Sequence, residues 1–340
     1  MVNQHIQNIA ISNFKSIKDL KIDGCKKINI FAGKPNAGKS NILEVLGLLG
    51  IFDYHKNQNF DLHDFLRFNQ PEELFFANDT EKSIIIETDH YRTMLEIDER
   101  EDVMDFTYND FYLGTEKRRK IQYSPEYKHL LKEVNSELEF NNIKKYIFNP
   151  NAHTIIKDKK LIFPFGDNIA NVISINKDLR KKLRKIFKAN EINVLIDKGL
   201  NELRIYKEFE DGTIYTLPYK SIADTLQRLV FYITAIMSNH NSVLLFEEPE
   251  AHCFEPYILE FTNEVKYNEN NNQFFMVTHS DFIIQEFLRD EESRNNLQIY
   301  LVNNVDGKTE VKKLDKETND DVYEYGMNVF FNFDSLWENN

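Results

Sequence analysis

Ile28-Asn-Ile-Phe-Ala-Gly33-Lys-Pro-Asn-Ala-Gly38-Lys39-Ser40-Asn41-Ile42-Leu43 joins an apolar run, a glycine-bearing loop and the start of a second apolar run. The first run predicts a buried strand, and Ile42 to Leu49, apolar nearly all round, predicts a buried helix. Between them, Gly33 to Ser40 fits G-x-x-x-x-G-K-[ST] at every defined position, in the strand, loop and helix setting that a phosphate loop requires. Gly33 and Gly38 are expected to let the backbone turn, so that N–H groups along Asn36, Ala37 and Gly38 converge on phosphate oxygens. Lys39 would add a point charge at the β- and γ-phosphates, and the Ser40 hydroxyl would ligate Mg²⁺. The helix that begins there, at Asn41, adds its positive end.

Working outward, Ile6 to Phe14 and Ile17 to Ile22 alternate like strands. Far downstream, Val243-Leu-Leu-Phe246 is a short apolar strand that ends in Glu247-Glu248-Pro249-Glu250. Alone, such a carboxylate pair reads as a solvated helix cap. Beside a phosphate loop in a parallel sheet, Glu247 would hold Mg²⁺, through water, and Glu248 would polarise the attacking water. Gln273 to Thr278 is another buried strand, with His279 at its tip; a core histidine is the plain alternative to one that reaches a γ-phosphate.

The middle of the chain differs. Strand-like pieces (Ser83 to Thr88, Asn193 to Ile196, Leu203 to Phe209) mix with helix-like ones (Glu126 to Phe148, Ile169 to Lys188) and a basic cluster at Glu116 to Lys120, with no repeat. Lys177 to Lys188 is a basic amphipathic helix with Leu179, Leu183, Ile186 and Phe187 on one face. Lys177, Arg180, Lys181, Arg184 and Lys185 are its candidate contacts for DNA, an acidic partner or the chain's own tail, against the alternative of a solvated face. After a helix built on Leu226, Leu229, Val230 and Ile233, a second helix follows from Phe254, and a hairpin turns at Val305-Asp306-Gly307. The acidic tail, Asp315 to Asn340, ends in apolar residues that should pack on the core or on a second chain.

Composition sets the outer bounds. The 340 residues are 41% hydrophobic with 11 Gly and 8 Pro, which excludes a disordered or collagenous chain and leaves material for one large domain with an insertion, or two. A net charge of −13 excludes a nucleic-acid-coating protein. Cys25 and Cys253 make no disulfide framework or zinc site and suit the cytoplasm as reduced thiols. No apolar run approaches the ~18 residues needed to cross a bilayer, and the start of the chain lacks a secretory pattern. No H-E-x-x-H or G-x-S-x-G motif offers other chemistry.

Three elements, Gly33 to Asn41, Leu245-Phe-Glu-Glu-Pro-Glu-Ala-His252 and Val277-Thr-His-Ser280, occur in an order that resembles ATP-binding-cassette ATPases, above all the RecF-like, SMC-like and OLD-family branch. The opening Ile9-Ala-Ile-Ser-Asn-Phe-Lys-Ser16-Ile17 also resembles the entry to that fold. The resemblance implies an α/β fold: an ABC-type core in two halves, 1–56 and 213–314, with a large mixed helical and strand insertion at 57–212 and a tail at 315–340. It implies ATP and Mg²⁺ as ligands, Glu248 and His279 as catalytic residues, a Mg²⁺-sensing glutamine for which Gln70 is the candidate, and an ATP-dependent head-to-tail dimer or higher homo-oligomer without a membrane. The stretch after His279 is expected to be too short for the Toprim-type nuclease domain of OLD proteins. The implied role is therefore an ATPase subunit of a DNA-linked or antiphage defence complex that controls a separate effector such as a nuclease. A non-hydrolysing ATP-sensing scaffold and a DNA-repair ATPase that binds DNA are the rivals.

The signature that would close the partner's ATP site falls at Ala223, Asp224, Thr225 and Gln227, where the family usually has Ser in place of Ala223 and Gly in place of Thr225. Ala223 has no hydroxyl to offer a γ-phosphate, and Thr225 crowds a backbone approach that glycine permits. Slow turnover is expected. The double substitution Ala223→Ser, Thr225→Gly should raise the rate of phosphate release, and an unchanged rate would count against this explanation.

Overall fold

In the computed structural model the described residues are 5–51, 62–98, 103–110, 117–124, 129–134, 142–152, 157–197, 199–200 and 202–340. In chain order they form β1 (Ile9–Phe14), β2 (Ile17–Ile22), β3 (Ile28–Gly33), α1 (Lys39–Leu48), β4 (Ile84–Thr88), β5 (Tyr91–Asp98), β6 (Val103–Asp110), β7 (Lys117–Ser124), β8 (His129–Val134) and β9 (Ile143–Tyr146). Then follow α2 (Ile169–Ile175), α3 (Lys177–Ala189), β10 (Asn193–Asp197), β11 (Glu202–Glu208), β12 (Ile214–Pro218), α4 (Asp224–Ser238), β13 (Val243–Glu247), α5 (Glu255–Lys266) and β14 (Gln273–Val277). The last elements are α6 (Asp281–Leu288), α7 (Glu291–Asn295), β15 (Leu297–Val305), β16 (Lys308–Lys313), α8 (Lys316–Glu324) and α9 (Phe333–Asn339).

Two compact units divide the chain: Met1–Lys145 with Asn241–Glu248 and Gln273–Asn340, and Tyr146–His240 with Pro249–Asn272. This is not the division expected from the sequence, a core of 1–56 and 213–314 around an insertion at 57–212. The reason is strand pairing. β4 pairs antiparallel with β1, Ile86 opposite Ile11, so the stretch after α1 extends the N-terminal sheet in the order β2-β1-β4-β5-β6-β7-β8. The tail joins the same unit: Val329, Phe333 and Leu336 are buried, and α8 packs on α6. α4 belongs to the other unit, where it packs against α2, α3 and α5.

The first unit's second sheet runs β16-β15-β3-β14-β13-β9. β13, β14, β3 and β15 are parallel neighbours, and their apolar runs are buried almost without break, as a sheet covered on both faces demands. Only a strand of this kind could put Gly33, Glu247 and His279 at the same sheet edge, the carboxyl ends where such folds bind ligands. The second unit holds the antiparallel sheet β10-β11-β12 and four helices. Its aromatic core sets Phe231 edge-on to Tyr146 and Phe148, and Tyr232 edge-on to Phe261.

Two local readings need correction. Glu126 to Phe148 is not a helix where it is described: His129–Val134 pairs with β7, and Ile143–Tyr146 is buried throughout. The Leu, Lys and Glu there favour helix locally, but ladder pairing and burial override that preference. Ile169 to Lys188 is two helices, because Asn176 leaves helical geometry and its side chain caps the second by accepting from Leu179 N at 3.0 Å. Glu116 and the side chains of the basic cluster after it lie outside the described residues. Cys25 and Cys253 are free thiols in different units, and burial pushes each up to about 11, which keeps them protonated. Among the described residues no helix is long and apolar enough to cross a membrane.

Gly33 is fixed by a neighbour rather than by its own turn. A Cβ there would sit 2.1 Å from the Val302 carbonyl oxygen of β15. Gly33→Ala must therefore push β3 from β15, and urea denaturation should show a loss of about 1–3 kcal/mol or more. A midpoint equal to that of the parent would mean the two strands can part without cost.

Candidate nucleotide site

The phosphate loop is held by a knot of hydroxyls. Gly38 adopts φ 93°, and a Cβ on it would meet Thr309 Oγ1 at 1.9 Å and Ser16 Oγ at 2.8 Å. Those hydroxyls lie 2.6 Å apart, Thr309 donates to the Ala37 carbonyl at 3.2 Å, and Asn41 Nδ2 donates to Ser16 at 2.7 Å. Asn41 thus ties the β1–β2 turn to α1 instead of facing a phosphate. Asn36 takes a left-handed φ of 59°, and Ala37 is buried. Lys39 is buried too; its ammonium donates to the carbonyls of Gly33 (2.8 Å) and Lys34 (2.7 Å) across the loop. Desolvation pushes Lys39 down to about 8, against a pull upward from Glu248.

Beside the loop lies a charge cluster that the sequence did not announce. The Ser40 hydroxyl donates to Glu247, Arg67 also donates to Glu247 Oε1 at 2.6 Å, and Lys145 Nζ stands 3.5 Å from Oε2. Burial opposes ionisation of Glu247, and Lys145, Ser40 and Arg67 together overcome it and hold the carboxyl below its usual range. Glu44, on the buried side of α1, is paired with Lys15 and lies 3.5 Å from Arg67 Nε. Lys145, almost wholly buried, is lowered by desolvation and raised by Glu247 and Glu44. Gln70, the expected Mg²⁺ sensor, is exposed at the head of a short 3₁₀ turn, and Arg67, three residues earlier, makes the carboxylate contact in its place. The only hint of Lys15 and Glu44 in the sequence was their nearness to the entry motif and to the loop.

Glu248 leaves β13 in the left-handed region, φ 46°, with its N–H donating to the Val277 carbonyl at 2.9 Å. Such backbone costs about 1–3 kcal/mol and is found where a side chain must be aimed. Its carboxylate is half-exposed and lies 3.5 Å from His279 Nε2. Desolvation, then Lys39, lowers His279 below the ordinary imidazole range despite Glu248, so the ring is neutral at pH 7. The tail packs on the core beside these residues. Phe330 stacks on His279 with 6.3 Å between ring centroids, Asp334 pairs with Lys34 of the loop at 2.5 Å, and Lys34 lies over the Phe333 ring. The tail docks there because Val329, Phe333 and Leu336 bury themselves in the core.

The signature residues lie in the second unit. Ala223 and Asp224 are exposed at the start of α4, Thr225 is half-buried, and Asp224 pairs with Arg228 at 2.7 Å. Gln227 is buried, its amide donating to the carbonyls of Ile222 (2.9 Å) and Lys220 (3.3 Å), so it braces the turn before α4 and is not presented to a ligand. Of the basic helix, now α3, Lys177, Lys181, Arg184 and Lys185 are exposed, while Arg180 donates to the carbonyls of Ile173 and Ser174.

Residues 28–285 match the family model described as "AAA domain, putative AbiEii toxin, Type IV TA system". Over 350 residues the chain is 25% identical to an ATP/GTP phosphatase of Helicobacter pylori, covering 87% of this chain and 91% of that protein. In structure it is similar to an SMC head bound to the C-terminal winged-helix domain of ScpA, at a TM-score of 0.51 and 14% identity over 93% of this chain and 99% of that one. A second SMC head, with an extended coiled coil and bound to the C-terminal domain of ScpA derived from Pyrococcus furiosus, gives 0.50 and 12% over 94% and 99%. At these identities the structural likeness shows the fold alone, an α/β fold like that of an SMC head.

The low position of Lys39 has a consequence for nucleotide binding. A polyphosphate beside it favours the ammonium, so binding raises its pKa. Below about pH 8 the lysine is already charged and no proton is taken up. Above that, binding must draw a proton, and affinity should fall by up to about tenfold per pH unit. Calorimetry in two buffers of different ionisation enthalpy checks this: proton uptake near zero at pH 7 and appearing at pH 9. Equal uptake at both would exclude Lys39 as the group that titrates.

Proposed function

We propose, for a chain that belongs to the AAA-domain family matched over residues 28–285, that it binds ATP with Mg²⁺ and hydrolyses it. The observation that carries this reading is the convergence, within one compact unit, of Lys39, Ser40, Glu247, Glu248 and His279 at one sheet edge. The name of the Helicobacter pylori relative, an ATP/GTP phosphatase, agrees with it. Lys39 exchanges its loop carbonyls for phosphate oxygens, and the N–H groups of Asn36 to Gly38 receive the rest of the phosphate charge. Ser40 and Glu247 offer the hard oxygens a Mg²⁺ prefers; once bound, the ion offsets charge on the phosphates. Arg67 and Lys145 keep Glu247 ionised for that task. Glu248 orients the attacking water, and neutral His279 lies beside it, positioned to donate toward a γ-phosphate.

Two copies are read as closing head to tail, in the manner of the OLD, RecF and SMC branch, with exposed Ala223 and Asp224 and half-buried Thr225 offered to the partner's nucleotide. Gln227 is left out of that contact by its buried hydrogen bonds. The assembly would work in the cytoplasm as the ATPase subunit of a DNA-linked or antiphage defence complex that governs a separate effector, with a nuclease the favoured class. The toxin–antitoxin wording of the matched family is in keeping with a conflict system. One observation favours an ATP-sensing scaffold as the second reading: Ala223 and Thr225 remove the hydroxyl and the open backbone that the signature contributes to turnover.

Lys39→Ala should abolish binding of a fluorescent ATP analogue. Glu248→Gln should bind it with near-parent affinity yet release phosphate on the order of 10²-fold more slowly. With ATP, Glu248→Gln should sediment as a dimer and without it as a lighter species. Parent-level turnover in Glu248→Gln would remove Glu248 from its role, and no turnover in the parent at all would leave the scaffold reading.

A further inference from the structure

The second unit contains a groove of about 640 Å³ between α3 and the β10–β11 face. One flank is cationic. Lys177, Arg180, Lys181, Arg184 and Lys188 all line it, and their i, i+3, i+4, i+7, i+11 spacing keeps them along one side of the helix. Lys182 and Lys185 do not line it, and Lys182 is paired with Glu264. The floor is apolar: Leu183 and Leu203 are buried, and Val194, Ile196 and Tyr206 remain half-exposed. Aliphatic side chains give little for bases to stack on, and Tyr206 and Phe187 are the groove's only aromatic residues. What suits such a site is a protein segment with aromatic or aliphatic knobs between carboxylates.

The chain displays such a segment itself. Among the described residues Phe331, 91% exposed, and Tyr325, 75%, are the most exposed large hydrophobic side chains. Glu324, exposed, and Asp334, exposed and paired with Lys34 of its own chain, flank them, and against a net charge of −13 the α3 groove is a cationic surface. We propose that the α3 groove of one copy receives the Glu324–Asp334 segment of a second copy, with Phe331 on the apolar floor and the carboxylates against the cationic flank. Groove and segment are different surfaces, so the contact is heterologous: a copy engaged through its groove still presents its tail, and association extends beyond two. The contact differs from the ATP-dependent pairing proposed above and needs no nucleotide. It also reaches the ATP site, because Phe330, next to the knob, stacks on His279.

The test uses the full chain in the Lys39→Ala background without nucleotide, so that failure here and failure of the ATP-dependent dimer are separate results. Sedimentation velocity at rising concentration should show growing assemblies at low salt that shrink at high salt. Phe331→Ser, with a dead tail and a live groove, should weaken association on the order of tenfold or more. Arg184→Glu with Lys188→Glu, with a live tail and a dead groove, should do the same. All three positions are exposed, and matching thermal melts confirm the folds. An equimolar mixture of the two variants should form a species of two chains and nothing larger, since each supplies only one half of the contact. A monomeric Lys39→Ala parent at every concentration, or undiminished assembly of Phe331→Ser, overturns the proposal. If the groove variant instead loses affinity for a labelled oligothymidylate while its assembly is unchanged, the groove is a nucleic-acid site and the proposal is equally overturned.

Discussion

The hydroxyl knot of Ser16 and Thr309 is the contact on which the nucleotide site depends. It joins three segments far apart in sequence: the β1–β2 turn, the β15–β16 hairpin and the loop before α1. Gly38 is glycine for two reasons at once. Its left-handed φ is costly for other residues, and the space a side chain would need is filled by Thr309 and Ser16. Within the wedged loop the Ala37 N–H donates to the Lys34 carbonyl at 3.3 Å, which fixes the turn at the sheet edge. A preformed anion site of this kind loses little entropy when a phosphate arrives.

Around that loop the protein has assembled an unusual density of buried charge. Glu44 on α1 meets Lys15 of the β1–β2 turn and Arg67 of the segment after α1, and Arg67 and Lys145 of β9 meet Glu247 of β13. Removing one member would strand a buried charge, and that loss is far larger than the net worth of the pairs. The arrangement therefore trades stability for a carboxylate that stays ionised and fixed in direction. Glu248, strained and half-exposed next to it, has the opposite character: freedom to meet solvent or substrate.

The tail adds a layer. Its apolar side chains fold it onto the core, and that docking brings Phe330 to His279 and Asp334 to Lys34. An anion that arrives at the loop meets Asp334 as a competitor for Lys34. The nucleotide residues and the chain terminus thus form a single packed surface.

The sequence by itself determined the phosphate loop, the buried parallel strands and the acidic and histidine tips, because each rests on local pattern: a glycine spacing, an unbroken apolar run, a strand's last residue. Gly33 to Ser40, Glu247, Glu248 and His279 could be singled out for that reason, and in the fold they lie at the carboxyl ends of neighbouring parallel strands. Pairings across long separations were not legible. Nothing local marks Ile86 as the partner of Ile11, so 57–212 read as a single insertion, and helix-forming residues at 129–134 were drawn into a ladder by their neighbours. Nor could spacing show that Arg67 and not Gln70 reaches Glu247, that Lys145 lies buried beside it, or that Asn41 and Gln227 turn to the backbone and to Ser16. Those choices belong to tertiary structure, since the energy of a buried charge or amide depends on which partners the fold brings within three or four ångströms and how much water it removes.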